Sequence, residues 1–228
     1  MNQIEFRQTK VLFVSAWWPE QEALAEQLAQ GHQLKSHSDS LKSAGPFAFF
    51  TTGVGTPRAA AALSGLLASA SASSTLPRLV CFVATAGAYD PQTPLNSAHL
   101  VDSALWSDGD LLSGRAYLPK VEGAESIHSD FAQTLQNCDA KKKAISTPAI
   151  TLHDELCTAL SKYAELENLE VYGVALACAL HTVPWIASLG VSNSVGAQAH
   201  AEWKINHRIA SRAAQQLIMR TLGEDWLS

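Results

Sequence analysis

Apolar residues occur in short runs separated by polar loops, and the runs alternate between the spacing of strands and that of helices. Residues 10–15 (KVLFVS) carry an apolar run, 11–14, as expected of a buried strand covered on both faces. Residues 19–30 have helical spacing, with Pro19 near the first turn. A polar stretch over 31–45 separates them from residues 47–52 (FAFFTT), which predict a second strand ending in Gly53-Val54-Gly55. Thr56 is then placed to cap, and Pro57 to open, an alanine-rich helix through Ala70. Residues 78–86 (RLVCFVATA) predict a central strand, uncharged after its first position. A weaker strand is expected over 99–104. The polar region 107–143 reads as loops, edge strands and one short helix, with the lysines at 141–143 in a solvated turn. Leu152, Leu156, Leu160 and Tyr163 recur at helical intervals and predict a helix over 151–164. Residues 169–172 lead into a second apolar helix through His181, residues 183–191 form another buried strand, and 198–222 form a long terminal helix.

This alternation predicts an α/β fold: a three-layer α/β/α sandwich with helices on both faces of a central mixed, mostly parallel sheet. No repeat or low-complexity linker divides the chain, and 228 residues suit one domain, 1–228, with a substantial core. In such sheets ligands gather outside the carboxyl ends of the strands. Four loops then qualify: 16–22, 53–56, 85–90 and 192–196.

Composition narrows the function. The net charge of −5, with one short basic run, argues against a protein that tracks nucleic-acid phosphates. The longest apolar runs, 79–84 and 171–180, fall well short of the roughly 20 residues that span a bilayer, so no membrane is expected. Residues 1–10 are polar and lack the apolar core of a signal peptide, which predicts a cytoplasmic protein. Cys81, Cys138, Cys157 and Cys178 are widely spaced without a CxxC pair, so they read as reduced structural thiols and not as a metal site.

Taken singly the four loops are ordinary; their order and spacing carry more. Ser15-Ala-Trp-Trp-Pro-Glu20-Gln-Glu22 follows the first strand, Thr52-Gly-Val-Gly55 the second, and Ala84-Thr-Ala-Gly-Ala-Tyr-Asp90 the third. Glu170-Val-Tyr-Gly173, an apolar helix, Val183-Pro-Trp185 and Gly190-Val-Ser-Asn-Ser-Val-Gly196 complete the series. Over nearly its whole length the chain resembles the purine nucleoside phosphorylase and nucleosidase superfamily. Through the AGAYD and VSNSVG segments and the following Trp203 it looks most like the futalosine hydrolase-like nucleosidases.

The resemblance implies a purine nucleoside as partner, a homo-oligomer, and neither a metal nor an organic cofactor. It assigns Glu20 to the carboxylate that orients or deprotonates the attacking water. An acid in the first turn of a helix, favoured by the dipole, is the structural alternative. Asn193 falls where adenosine-type nucleosidases carry an aspartic acid that protonates the purine N7. An amide can accept from a protonated N7 while donating to a 6-oxo group, so a 6-oxopurine is expected; support of a turn is the alternative. Ser192 would assist Asn193. Ala86, Gly87, Thr151 and Leu152 are expected around the base, with His153 either a general acid or a polar packing residue. The ribose-clamping glutamate of the family aligns with Tyr172, which cannot accept two hydroxyl protons. Glu170 and the backbone at Val171 remain available to the sugar; otherwise the site takes a modified ribose or has lost catalysis. Phosphorolysis needs an arginine cradle, yet residues 85–90 contain no arginine, and Arg58 reads as a surface residue. Hydrolysis is therefore expected over its alternatives, a phosphorylase or a silent nucleoside-binding paralogue. Trp17, Trp18 and Trp203 are candidates either for stacking on ligand or for core and interface packing.

Overall fold

A computed structural model describes residues 9–117, 119, 126–129, 131 and 141–227. The first apolar run is strand β1 (Val11–Ser15), every residue of it buried. A 3-10 turn, Trp18–Glu20, and helix α1 (Glu22–Leu28) follow. The polar stretch 31–45, expected to be loop, instead holds strands β2 (Lys35–Ser36) and β3 (Leu41–Ala44), paired as a hairpin. Next come β4 (Phe47–Thr51), α2 (Thr56–Ala72), β5 (Leu79–Ala88) and β6 (Ala98–Trp106). The described part of the polar region contributes a short helix α3 (Gly109–Leu112) and an edge strand β7 (Ile127–His128). Cys138 lies outside the described residues.

The lysines at 141–143 do not form a turn but begin β8 (Lys141–Ser146). Backbone pairing of that segment with β6, Leu100 opposite Lys141 and Val101 opposite Lys142, overrides its charge. The helix expected over 151–164 is shorter, α4 (Asp154–Leu160), because His153 is extended and the backbone and hydroxyl of Thr151 are bound by a side chain described below. Two residues then form β9 (Leu166–Glu167), and α5 (Val171–Leu180), β10 (Trp185–Ser194) and α6 (Ala199–Leu227) complete the chain. No described helix is long and apolar enough to cross a membrane.

Side chains alternate across the sheet. Leu12 and Val14 of β1 pack with Val80 and Phe82 of β5 beneath α2 and α5, against Leu63, Leu67 and Val174. Val11 and Phe13 point the other way, joining Leu79 and Cys81 beneath α1 and α6, against Leu24, Ala214 and Ile218. Helices thus cover both faces as predicted, since a strand with two apolar faces needs two apolar covers. The sheet itself departs from an open sandwich. The long pairings β4–β1–β5–β10 and β6–β8 are parallel, but β10 also pairs with β6, β8 with β9, and β9 with β5. Strands β5, β10, β6, β8 and β9 therefore close into a five-stranded ring, with β1, β4, β3 and β2 continuing outward from β5.

Closure depends on α6 lying flat against β10. A Cβ built on Gly190 would stand 1.9 Å from the carbonyl oxygen of Ala210 and 2.4 Å from its carbon, both backbone atoms of the helix. Gly190→Ala is therefore expected to push α6 away and to lower the midpoint of urea unfolding, at a cost of about 3 kcal/mol or more, the upper end for overpacking. An unchanged midpoint would show that the helix has room to move.

Candidate functional site

All four candidate loops reach one cavity of about 280 Å³ at the carboxyl end of β5, near the lower limit for small-molecule sites. Loop 16–22 supplies Ala16, Trp17 and Glu20; loop 53–56 supplies Val54; the end of β5 supplies Thr85, Ala86 and Gly87; the end of β10 supplies Ser192 and Asn193. The β9–α5 junction adds Glu167, Asn168, Leu169 and Glu170, and α6 adds Ala199, His200 and Trp203.

Glu20 is not a surface acid on a helix. Pro19 sits in the first turn of the 3-10 segment, and the glutamate that closes it is 6% exposed. Its Oε1 accepts from the amide of Thr85 at 3.0 Å and from the Thr85 hydroxyl at 3.2 Å, and its Oε2 from the amide of Ala16 at 3.3 Å. Its carbonyl accepts from Ser211 Oγ at 3.0 Å and from Gln215 Nε2 at 2.9 Å, which ties the turn to α6. Burial, and then the charge of Glu170, push its carboxyl up to about 8 against the pull of the Thr85 and Ala16 donors.

Glu170 faces the same cavity from the start of α5. Its Oε1 accepts the amide of Gly55 at 2.8 Å, a residue whose φ of 96° suits glycine. Burial raises its carboxyl too, opposed by the Gly55 and Asn168 hydrogen bonds. Asn168 organises this corner. Its Oδ1 accepts the amides of Glu170 at 3.0 Å and Val171 at 2.8 Å, and its Nδ2 donates to the Thr85 carbonyl at 2.9 Å. Thr85 thus holds Glu20 by one side and anchors the Glu170 turn by the other.

At the end of β10 a bulge between Val191 and Asn193 brings Asn193 opposite Gly87. Ser192 Oγ lies 2.8 Å from Asn193 Oδ1 and 3.2 Å from the Ala86 carbonyl, and Asn193 Nδ2 donates to the Ser194 carbonyl at 2.9 Å. Gly87 makes this seat possible: a Cβ there would stand 2.8 Å from Asn193 Nδ2 and 2.9 Å from Val195 Cγ2. Gly87→Ala is accordingly expected to displace the Asn193 amide, with a stability loss of about 1–3 kcal/mol. The midpoint of urea unfolding checks it, and an unchanged midpoint would refute it.

An aromatic wall rises beside the acids. The Trp203 ring stacks on His207 at 4.5 Å and on His200 at 5.9 Å, Trp17 tilts against it at 6.1 Å, and its Nε1 donates to Thr85 Oγ1 at 3.3 Å.

Six expected site residues meet here: Glu20, Ala86, Gly87, Glu170, Ser192 and Asn193. Four do not line the cavity. Val171 and Tyr172 are packed in the main core, Thr151 is buried behind the wall with Glu167, and Leu152 is half exposed. Ile150 lines the cavity in place of Thr151 and Leu152. His153 belongs to a separate hollow with Arg115 and Leu156, and Arg58 is exposed outside the cavity. The sequence placed Thr85 in a candidate loop without a role and did not single out Glu167, Asn168 or His200. The last was detectable, since 200, 203 and 207 repeat on one helical face. No group of three or more His, Cys, Asp or Glu able to hold a metal occurs among the described residues.

The fold is that of the purine nucleosidases. No family model and no curated protein matches the chain; solved structures do. A methylthioadenosine nucleosidase variant of Helicobacter pylori, with 5′-methylthioadenosine in its active site, matches at TM-score 0.77 and 15% identity, covering 95% of this chain and 99% of that one. The futalosine hydrolase of Helicobacter pylori matches at TM-score 0.76 and 14% identity, over 96% and 99%. The methylthioadenosine/S-adenosylhomocysteine nucleosidase of Neisseria meningitidis, in complex with methylthio-immucillin-A, matches at 0.74 and 14%, over 94% and 98%. These neighbours are members of the superfamily that the loop motifs resemble.

Proposed function

We propose that the protein is a purine nucleosidase that hydrolyses the N-glycosidic bond of a 6-oxopurine nucleoside of the futalosine type. One observation carries the reading: Glu20, Glu170 and Asn193, distant in the chain, line a single cavity around the end of β5. Thr85, which holds Glu20, and Gly87, beside Asn193, are two residues apart on that strand, about 7 Å at the usual rise. That spacing suits a ligand with its sugar–base bond near the acids and the far edge of its base near the amide.

Cleavage passes through a cationic, oxocarbenium-like ribosyl group, and two buried carboxylates stabilise positive charge there. Glu20 has accepted three donors and keeps an acceptor position for the attacking water, from which it takes a proton. Glu170 accepts from the ribose hydroxyls with the oxygen not engaged by Gly55. Tyr172 is packed in the core while Glu170 faces the cavity, which supports reading Glu170 as the acidic group on the ribose side.

Asn193 has spent one amide proton on Ser194 and one lone pair on Ser192. One donor and one acceptor remain. That pair complements the protonated N7 and 6-oxo group of departing hypoxanthine or guanine, whereas adenine would set its amino group against the amide proton. Water is favoured over phosphate as nucleophile because no lysine or arginine lines the cavity among the described residues.

The test is to incubate the protein with inosine, guanosine, futalosine, adenosine and 5′-methylthioadenosine, with and without phosphate, and to measure free base. Phosphate-independent release of hypoxanthine or guanine is expected. Release that requires phosphate would make it a phosphorylase, and binding without release from any nucleoside would make it a silent paralogue.

A further inference from the structure

Helix α6 grips the turn that carries Glu20 with a single face. Trp203, His207, Ser211 and Gln215 recur at every fourth position and so lie one above another along the helix. Ser211 Oγ and Gln215 Nε2 donate to the carbonyl of Glu20. The His207 ring lies 6.0 Å from that of Trp17, at the start of the same turn. Trp203, at the cavity end of the row, reaches the Glu20 carboxylate itself through one intermediate. Its Nε1 donates to Thr85 Oγ1 at 3.3 Å, and Thr85 Oγ1 donates to Glu20 Oε1 at 3.2 Å.

The first member of this chain fixes its direction. A hydroxyl donates once and accepts twice, and its proton turns to suit its neighbours, whereas an indole N–H only donates. Thr85 Oγ1 must therefore accept from Trp203, which leaves its own proton for Glu20. The consequence falls on one oxygen. Oε1 also takes the Thr85 amide at 3.0 Å, so with the hydroxyl both of its acceptor positions are filled. Oε2 holds only the Ala16 amide, at 3.3 Å. The open position is then on Oε2, and water meets that oxygen. The indole is itself held for this task, since its ring stacks with His207 at 4.5 Å and with His200 at 5.9 Å.

We propose that Trp203 is a positioning residue that acts on Glu20 through the Thr85 hydroxyl, occupying Oε1 and presenting Oε2 to the attacking water. This rests on the nucleosidase reading and deepens it. The role belongs to the indole N–H and not to the ring, so neither ligand stacking nor core packing describes it. Hydrogen bonds in series polarise one another, so removing the first weakens the second. The Thr85 hydroxyl is one of the donors that pull the Glu20 carboxyl down against burial and the charge of Glu170. Weakening it raises the carboxyl and delays ionisation to higher pH. The other titratable groups around the site are Glu167 and Glu170 from the β9–α5 side and His200 and His207 from α6. Replacing the indole by a benzene ring alters none of them.

A double-mutant cycle on kcat tests the proposal, with whichever of inosine and futalosine is turned over faster and release of hypoxanthine as the readout. Trp203→Phe keeps a ring for the stack and removes the donor. Thr85→Val keeps the branched side chain and the backbone amide and removes the hydroxyl. Trp203→Phe is expected to lower kcat about 3–10-fold and to leave hypoxanthine affinity within about twofold of native. The midpoint of its kcat/KM profile is expected to move to higher pH. In a Thr85→Ser background, which retains the hydroxyl, the same loss in kcat is expected. In a Thr85→Val background the loss from Trp203→Phe is expected to shrink to less than about twofold, because the link is already cut. An equal loss in that background would overturn the proposal, since the tryptophan would then act by packing or on the ligand. So would a Trp203→Phe variant with native kcat and an unmoved midpoint. If Trp203→Phe does not fold, Trp203→Met enters the same cycle with the same outcomes. Should the native protein cleave nucleosides while the two substitutions act independently, only this inference fails; should it cleave none, the nucleosidase reading fails and takes the inference with it.

Discussion

Glu20→Gln is expected to slow release of free base by about 10²–10⁴-fold while hypoxanthine still binds. Glutamine fills the same space but cannot take a proton from water, so the loss falls on turnover and not on the base site. The pH profile is the sharper readout. Because burial and Glu170 push the Glu20 carboxyl up to about 8, kcat/KM of the native protein should climb with pH to a midpoint near that value as the ionised form appears. Stability should move the other way. The folded protein holds the Glu20 proton up to about 8, whereas the unfolded chain releases it near the usual 4.5. Between these values the unfolded state binds fewer protons, so the Glu20 contribution to stability is full below about 4.5, falls as pH rises, and levels off above about 8. Urea midpoints across this range should show the decline in the native protein and lack its Glu20 share in the variant. A variant with native turnover and an unaltered pH profile would remove Glu20 from the mechanism.

Glu170→Gln carries the second large effect, through two separable routes. Removing an ionic acceptor for the ribose hydroxyls is expected to lower kcat/KM by about 10–100-fold on a ribonucleoside, and by less on the 2′-deoxy analogue, which has one hydroxyl fewer to lose. Independently, the charge of Glu170 is one of the causes that raise the Glu20 carboxyl. Neutralising it should shift the activity midpoint to lower pH. The Gly55 amide still finds an acceptor in the glutamine oxygen, so the loop should stay in place. Equal losses on the ribose and 2′-deoxy substrates with an unmoved midpoint would mean that Glu170 neither touches the sugar nor acts on Glu20.

Both predictions depend on contacts that differ in how visible they are along the chain. The apolar runs of β1, β4, β5 and β10, the opening of a helix at Pro57 and the terminal helix were legible because each writes its pattern within a few consecutive residues, although Gly55 and not Thr56 holds the cap position of α2 and the Thr56 hydroxyl donates to the Leu169 carbonyl instead. The four strand-end loops followed from the same order, and with them Glu20, Gly87, Ser192 and Asn193. Closure of the sheet was not legible, since it turns on β9, two residues too short to show a period, pairing with the far end of β5. The same short strand aims Glu167 at the cavity and leaves Glu170, not Tyr172, facing it. Local order along the chain determined which segments become strands, helices and strand-end loops. Only the tertiary structure decided which side chains at those ends share a cavity and what their carboxyls do with a proton. Glu20 meets Thr85 across 65 residues and the field of Glu170 across 150, and neither burial nor charge coupling is a property of any one segment.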